Sequence, residues 1–281
     1  MTAPHFSFVP VLNHEIHVTE WGDPSAPALF MMHGLARTGR DFDELAAALS
    51  DRYHVLCPDM IGRGLSSWSA NPSTEYRIEY YAAITLALLD QLGIDQTAWI
   101  GTSMGGQIGM RIASDNHRDK LSCLLINDIG PEVPETVIKR ILAYVGNPPT
   151  FKTHAEAETW LRSTYTPFGP ASEVFWQRMA RTSLRRQSNG SLTMHYDPAI
   201  TRQFVDAPQE MTCWDSWNKI TTPTHVFFGA QSDLLESDIL ARMMTTGPQP
   251  DHTSFPDCGH APTLSRRSDI ALVGRILEKA H

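Results

Sequence analysis

A serine flanked by glycines stands between an apolar run and a helical pattern, and this junction limits the possible folds more than any other stretch. Residues 97–100 predict a strand and residues 104–114 predict a helix, so Gly101-Thr102-Ser103-Met104-Gly105 must turn sharply between them. Glycines permit the close approach of the two elements that such a turn requires. The serine hydroxyl is then exposed beside the amino end of a helix, where developing negative charge is favoured.

Apolar runs alternate with amphipathic segments along most of the chain. This alternation predicts the α/β class, with a mostly parallel sheet and helices on both of its faces. An amino-terminal hairpin is expected over residues 6–11 and 15–21. The further strands are predicted at residues 28–32, 54–57, 97–100, 121–126, 224–228 and 252–255. The helices between and after them are predicted at residues 41–49, 76–92, 104–114, 236–244 and 261–280.

One interval interrupts this alternation and predicts an inserted lid. It holds three helical patterns, at residues 136–145, 155–165 and 172–186, separated by Pro148-Pro149 and by Pro167-Phe168-Gly169-Pro170. We therefore expect a core domain formed by residues 1–131 and 211–281, and a helical lid formed by residues 132–210.

Polar and loop residues follow the predicted strands at the edge where α/β sheets bind ligands. These residues are Leu35, Asp59, Ser103, Asp128, Asp233 and His260. The topology therefore predicts that one edge of the sheet collects the candidates for chemistry.

A serine hydroxyl becomes a strong nucleophile only when a base takes its proton and a third group orients that base. His260 is the predicted base, because it follows a strand and precedes a helix within Gly259-His260-Ala261-Pro262. Asp233 is the favoured orienting acid, although it could instead cap the helix that follows it. Asp128 is the alternative acid, and its simpler role would be turn formation before Pro131.

Attack on a carbonyl creates an oxyanion that requires preorganised hydrogen-bond donors. The backbone N–H of Met104, at the start of a helix, is one predicted donor, and that of Leu35 is the other. Gly34 permits the close approach of this loop. His33 is expected to brace the loop through hydrogen bonds and not to transfer protons.

Together these motifs resemble the α/β-hydrolase superfamily in their order. They are His33-Gly34-Leu35, Asp59-x-x-Gly62-x-Gly64-x-Ser66, Gly101-Thr102-Ser103-Met104-Gly105-Gly106, Gly229-x-x-Ser232-Asp233 and Gly259-His260-Ala261-Pro262. The resemblance implies a triad of Ser103, Asp233 and His260, an oxyanion hole at Leu35 and Met104, and a structural role for the loop at residues 59–66. The serine at position 103 is unlike haloalkane dehalogenases, which carry aspartate there. Leu35-Ala36-Arg37-Thr38 replaces the Gly-Pro-Gly-Ala that is usual in C–C bond hydrolases of the superfamily.

The sequence thus predicts hydrolysis of a carboxylic ester, or a similar activated carbonyl, of a small molecule through an acyl-enzyme on Ser103. No metal or organic cofactor is required for this chemistry. The alternatives are an amide or C–C bond hydrolase of a small carboxylate-bearing metabolite and a non-catalytic receptor of the same fold. A loose likeness to the hydrolase of 2-(acetamidomethylene)succinate points to the first alternative.

The lid offers candidates for substrate binding. Arg178 and Arg181 lie on one predicted helix with Trp176 nearby, and arginine binds carboxylates through paired hydrogen bonds. We hypothesise that these residues bind a substrate carboxylate. The alternative is a solvated face beside a core face of the same helix.

Composition and residue spacing disfavour several kinds of partner and site. The net charge of −8 disfavours binding to nucleic acid or to an anionic membrane surface. The four cysteines lack the paired spacing of zinc or redox sites. No apolar run is long enough to span a membrane, and Arg37 is the first Lys or Arg, so a cytoplasmic protein is expected. The sequence leaves the oligomeric state open, with a homodimer as one alternative.

Overall fold

The computed structural model describes residues 3–280 and contains one large mixed sheet flanked by helices. The strands are β1 (His5–Val11), β2 (His14–Trp21), β3 (Ala28–Met32), β4 (His54–Pro58), β5 (Thr97–Thr102), β6 (Leu121–Asn127), β7 (Thr150–Phe151), β8 (Leu184–Arg186), β9 (Leu192–Met194), β10 (Thr224–Gly229) and β11 (Asp251–Phe255). The helices are α1 (Asp43–Leu49), α2 (Pro72–Glu75), α3 (Ile78–Gln91), α4 (Met104–Ala113), α5 (Glu135–Val145), α6 (His154–Thr164), α7 (Glu173–Thr182), α8 (Arg202–Asp206), α9 (Trp214–Trp217), α10 (Ser237–Thr245) and α11 (Arg267–Ala280). Short 3-10 turns connect several of them.

The eight-stranded sheet has the order β1-β2-β4-β3-β5-β6-β10-β11. Strands β1, β2 and β4 pair antiparallel, and every pair from β4 to β11 is parallel. The carboxyl ends of β3, β5, β6, β10 and β11 therefore meet at one edge, as the sequence predicted. The α/β class and the mostly parallel sheet with helices on both faces are confirmed.

Both faces of the sheet are buried, which explains why its central strands are continuously apolar. In β3, Phe30 and Met32 join the core on one side, whereas Leu29 and Met31 join the core on the other. Helices α3 and α4 cover the first face, and α1 and α11 cover the second. Trp99 of β5 stacks on Phe30 with ring centroids 5.0 Å apart, so the two central strands are also joined by an aromatic pair.

Two predicted helices differ from the structure. The predicted helix at residues 172–186 ends at Thr182, and residues 184–186 form strand β8, which pairs with β9. An Asn189-Gly190 dipeptide lies in the turn between these strands and is typical of hairpins. The predicted helix at residues 261–280 begins only at Arg267, because the backbone at Leu264 has φ of 54° and is not that of a right-handed helix.

The interval predicted as a lid contains helices α5, α6 and α7 and a small sheet of order β7-β9-β8. Glu132 at its start forms an isolated bridge with Thr212, which lies just beyond its end, so the chain enters and leaves this interval at the same place. Within residues 3–280, no helix combines the length and the apolar character that crossing a bilayer demands.

Candidate active site

Ser103 lies at the apex of a strained turn between β5 and α4. Its backbone has φ of 53° and ψ of −118°, a left-handed conformation that is unusual for a residue with a side chain. A Cβ at Gly101 would lie 2.2 Å from the Gly105 carbonyl oxygen, and one at Gly105 would lie 2.1 Å from the Met32 oxygen. Only glycine fits at both positions, so the flanking glycines create the turn that exposes Ser103.

The His260 imidazole joins the serine to a buried carboxylate. Its Nε2 lies 3.0 Å from Ser103 Oγ, and its Nδ1 lies 2.8 Å from Asp128 Oδ2. In the tautomer with a proton on Nδ1, His260 donates to Asp128 and accepts from the serine hydroxyl. This arrangement can remove the serine proton and stabilise the imidazolium that results.

Asp128 is held firmly in place at the end of β6. Its own backbone has φ of 58°, and its N–H donates to the Phe227 carbonyl of the neighbouring strand β10. The carboxylate also accepts from the Gly229 N–H at 2.8 Å and the Ser232 hydroxyl at 2.6 Å, and its side chain is completely buried. These two donors therefore orient the carboxylate towards His260.

The prediction that Asp233 orients His260 is wrong in this structure. Asp233 is about half exposed and forms an ion pair with Arg140 of α5. It lies four residues beyond Gly229, the last residue of β10, whereas Asp128 directly follows the last residue of the adjacent β6. The hydroxyl of Ser232 reaches the carboxylate instead, so the Gly229–Asp233 loop supports the acid and does not supply it.

The loop that carries His260 is fixed by side chains of the central strands. Asn127 Nδ2 donates to the Pro262 carbonyl at 2.8 Å and to Thr102 Oγ1 at 3.0 Å. A Cβ at Gly229 would lie 2.3 Å from the Gly259 oxygen, so the end of β10 packs tightly against the residue before His260. Neither Asn127 nor Ser232 was identified as a site residue from the sequence, because each acts only through tertiary contacts.

The Gly34–Leu35 peptide, which carries one predicted donor of the oxyanion hole, lies beside the serine. A Cβ at Gly34 would lie 3.6 Å from Ser103 Cβ. The Gly34 carbonyl accepts from His33 Nδ1 at 2.7 Å and from the Arg37 N–H at 3.2 Å. Because a trans peptide directs its C=O and N–H in opposite directions, these bonds aim the Leu35 N–H away from His33. The second predicted donor, Met104, begins helix α4 directly after Ser103.

His33 braces this loop, as the sequence predicted. Its Nε2 accepts from the Met60 N–H at 2.9 Å, so the Nδ1 position carries the proton that is donated to Gly34. Burial lowers the pKa of His33 to about 4, which keeps the ring neutral above that pH.

This lowered pKa predicts acid sensitivity of the fold. The pKa of His33 falls from 6.5 to about 4 on folding, so the unfolded chain binds a proton first as the pH falls through this window. We expect His33 to remove up to about 3 kcal/mol from the free energy of unfolding between pH 6.5 and 4, and nothing above it. Urea unfolding at several pH values measures this slope. His225, whose pKa is also lowered to about 4, acts in the same direction, so His33→Gln should flatten the slope only in part. An unchanged slope in that variant would exclude His33 as its cause.

The loop at residues 59–66 has the structural role that the resemblance implied. Asp59 accepts from the Gly39 N–H at 2.8 Å, the Leu65 N–H at 3.0 Å and His17 Nδ1 at 2.9 Å. No group of three His, Cys, Asp or Glu side chains within residues 3–280 is arranged to hold a metal ion.

The lid arginines do not form a carboxylate clamp in this structure. Arg178 is buried and contacts Glu44 Oε2 at 2.7 Å and Asp41 Oδ1 at 3.7 Å, so its charge is already neutralised by the core. Arg181 is exposed, and Trp176 packs on Phe175 within the lid. In the part of the chain that the structure describes, none of the hydrogen bonds, ion pairs or ring contacts of these three residues reaches Ser103, Asp128 or His260. The substrate-binding role of Arg178 is thus not supported, and those of Arg181 and Trp176 stay predictions.

Residues of the predicted lid also lie next to the candidate site. Phe168 and Phe175 of the lid line a cavity of about 30 Å³ together with Gly34, Thr102 and Pro262 of the core. Gly34, Thr102 and Pro262 are close to Ser103 or His260 in sequence or in space. The two lid side chains therefore face the loops that carry the site.

Comparisons with known proteins agree with this architecture. Residues 29–271 match the model of the alpha/beta hydrolase family. The chain is 37% identical to a 3-hydroxybutyrate-oligomer hydrolase of Cupriavidus necator, over 96% of each chain. Among solved structures, an alpha/beta hydrolase from Novosphingobium aromaticivorans is 32% identical with a TM-score of 0.85, covering 99% of both chains. E-2-(acetamidomethylene)succinate hydrolase shares the fold, with a TM-score of 0.87 at 21% identity over 98% of this chain and 100% of that one. The chain therefore belongs to the alpha/beta hydrolase family.

Proposed function

We propose that this protein hydrolyses carboxylic esters of small molecules through an acyl-enzyme on Ser103. The observation that carries the proposal is the pair of contacts made by His260, 3.0 Å to Ser103 Oγ and 2.8 Å to Asp128 Oδ2. A base in contact with both a hydroxyl and a buried carboxylate is the arrangement that activates a serine.

In the first half of the reaction, Ser103 Oγ attacks the ester carbonyl while its proton moves to His260 Nε2. The tetrahedral oxyanion accepts hydrogen bonds from the N–H groups of Leu35 and Met104. The intermediate then collapses, and His260 donates its proton to the alcohol oxygen that leaves. The serine remains acylated.

In the second half, water attacks the acyl carbon and gives its proton to His260 Nε2. The same donors stabilise the second oxyanion, and the proton returns to Ser103 as the acid is released. Asp128 holds the Nδ1 proton of the imidazole throughout, which keeps Nε2 directed at the reacting oxygen.

For the substrate, we propose short linear esters of 3-hydroxybutyrate. Support comes from the relative named a 3-hydroxybutyrate-oligomer hydrolase, which is 37% identical over 96% of each chain. In a dimer of this acid, attack by Ser103 would leave one 3-hydroxybutyryl group on the enzyme and release one free 3-hydroxybutyrate. Water would then release the second.

The amide and C–C bond alternatives have less support. The lid arginines add no support to them, because Arg178 is already occupied by Glu44 and Asp41. Similarity to E-2-(acetamidomethylene)succinate hydrolase is one of fold alone.

The test measures release of 3-hydroxybutyrate from its dimer and trimer by purified protein, beside hydrolysis of p-nitrophenyl butyrate. We expect turnover of both oligomers, with kcat in the common range of about 1–10³ s⁻¹. Ser103→Ala serves as the control for contaminating esterases. An N-acyl amide and a 1,3-diketone complete the panel.

Each outcome separates one part of the proposal from another. Hydrolysis of p-nitrophenyl butyrate without release from oligomers would remove the substrate assignment and leave the ester chemistry. Cleavage of only the amide or the diketone would favour the alternative reactions. Absence of turnover on the whole panel would favour a receptor.

A further inference from the structure

Arg63 is a fully buried arginine without a carboxylate partner. Its side chain has 0% relative exposure. The other two buried arginines, Arg37 and Arg178, each contact at least one carboxylate, whereas none of the ion pairs within residues 3–280 includes Arg63. Burying a charge is costly unless the protein compensates it with hydrogen bonds or an opposite charge. A positive charge kept in the interior without a counterion therefore requires a physical explanation.

Hydrogen bonds and aromatic rings compensate the guanidinium. Nη1 donates to the Ile61 carbonyl and to the Tyr81 hydroxyl, both at 2.8 Å. The rings of Tyr81 and Tyr76 lie 4.9 Å and 5.8 Å from its central carbon. These contacts satisfy donors and add cation–π attraction, but they do not cancel the formal charge.

The remaining donors of Arg63 contact the two residues of the predicted oxyanion hole. Nε donates to the Leu35 carbonyl at 2.8 Å, and Nη2 lies 3.3 Å from Met104 Sδ. Since His33 holds the carbonyl before Leu35 and Arg63 holds the carbonyl of Leu35 itself, both peptides around the donor are fixed.

The backbone around Arg63 is also paired with the lid. The Gly64 N–H donates to the His195 carbonyl at 2.9 Å, and the Asp197 N–H donates to the Gly62 carbonyl at 2.8 Å. Arg63 and Tyr196 form an isolated antiparallel bridge between these bonds. The segment at residues 195–197 therefore pairs with the backbone that carries Arg63.

We propose that Arg63 is a positioning residue for the oxyanion hole, which holds Leu35 and Met104 in place and sets a positive charge without a carboxylate counterion beside these two residues. The inference rests on the proposed acyl transfer at Ser103. Fixed dipoles and charges in a water-excluded site stabilise transition-state charge more than they would in water. A carboxylate next to Arg63 would cancel the electrostatic field of its charge, so the absence of a counterion preserves this field.

The test compares Arg63→Gln and Arg63→Lys with wild type on p-nitrophenyl butyrate, with kcat expressed per active site titrated by a fluorophosphonate. We expect Arg63→Gln to lose on the order of 100-fold in kcat, as for loss of one oxyanion donor, with little change in KM. Arg63→Lys keeps the charge without the planar fork of donors, so a smaller loss of about tenfold is expected. The inhibition constant of an alkylboronic acid, which forms a tetrahedral anion on serine, should rise in parallel with the loss in kcat.

Arg77→Gln is the matched control, because Arg77 undergoes the same chemical change but is bound to Glu210. Its kcat per titrated site should stay within about twofold of wild type. A purely structural role for Arg63 would lower the fraction of titratable sites and leave kcat per site and boronic acid binding unchanged, which would overturn the inference. If Arg63→Gln gives no folded protein, the same comparison on Arg63→Lys decides. Turnover by the wild type tests ester hydrolysis, and the ratio of kcat between variant and wild type tests the role of Arg63. A failure of one proposal can therefore be distinguished from a failure of the other.

Discussion

Replacement of Ser103 by alanine is expected to lower kcat for ester hydrolysis by about 10⁶-fold, because the residues of such a triad act as a unit. The hydroxyl is the group that would be acylated, and His260 Nε2 lies 3.0 Å from it. The variant should keep its fold, since alanine retains the Cβ and lacks only Oγ, which is hydrogen-bonded to His260. Steady-state kinetics on p-nitrophenyl butyrate and on the 3-hydroxybutyrate dimer measure the loss.

Ser114→Ala is the matched control for this substitution. Ser114 directly follows the last residue of the same helix α4, where its hydroxyl donates to the Arg111 carbonyl at 2.9 Å. Its removal should leave kcat unchanged. Turnover by Ser103→Ala at more than about a hundredth of the wild-type rate would show that another group carries the reaction.

Exchange of Asp128 for asparagine is expected to lower kcat by about 10⁴-fold. The carboxylate accepts from Gly229 N–H through Oδ1 and from His260 and Ser232 through Oδ2. An asparagine oxygen that serves Gly229 places the amide NH₂ towards His260 Nδ1. This contact favours the tautomer with its proton on Nε2, which cannot accept a proton from Ser103.

Asp233→Asn provides the comparison at the position that the sequence favoured. Asp233 and Arg140 are each about half exposed, and ion pairs of this kind contribute little to stability. We expect kcat within about twofold of wild type and a free energy of unfolding lowered by less than about 1 kcal/mol. A large loss in Asp233→Asn with a small one in Asp128→Asn would reverse the assignment of the acid.

From the sequence alone, Ser103 and His260 are predicted for the candidate site, and Asp128, the acid that contacts His260 in the structure, is only the alternative to Asp233. Ser103 and His260 lie within short glycine motifs that are visible in the sequence, and Gly101 is required by a contact within the same turn, with the Gly105 carbonyl. Asp128 and Asp233 both follow neighbouring parallel strands. The choice between them depends on which carboxylate reaches His260 in the folded sheet. Spacing along the sequence does not determine this.

The lid and its contacts were the least predictable part of the fold. The sequence predicts the end of a helix at strand β8, because Leu184–Arg186 is too short to show a strand period, whereas pairing with β9 makes it a strand. The helical spacing of the lid arginines was visible, but Glu44 and Asp41, which neutralise Arg178, come from a distant part of the chain. The role proposed for Arg63 likewise depends on its contacts with Leu35 and Met104, which form only in the folded chain.

Covalent labelling tests the central claim most directly. The protein is incubated with an alkyl fluorophosphonate, digested, and its peptides are analysed by mass spectrometry. The arrangement of His260 between Ser103 and Asp128 predicts one adduct per chain, on the peptide that contains Ser103, and a slow reaction in Asp128→Asn. A protein that stays unlabelled, or that carries the adduct on another residue, would contradict catalysis at Ser103.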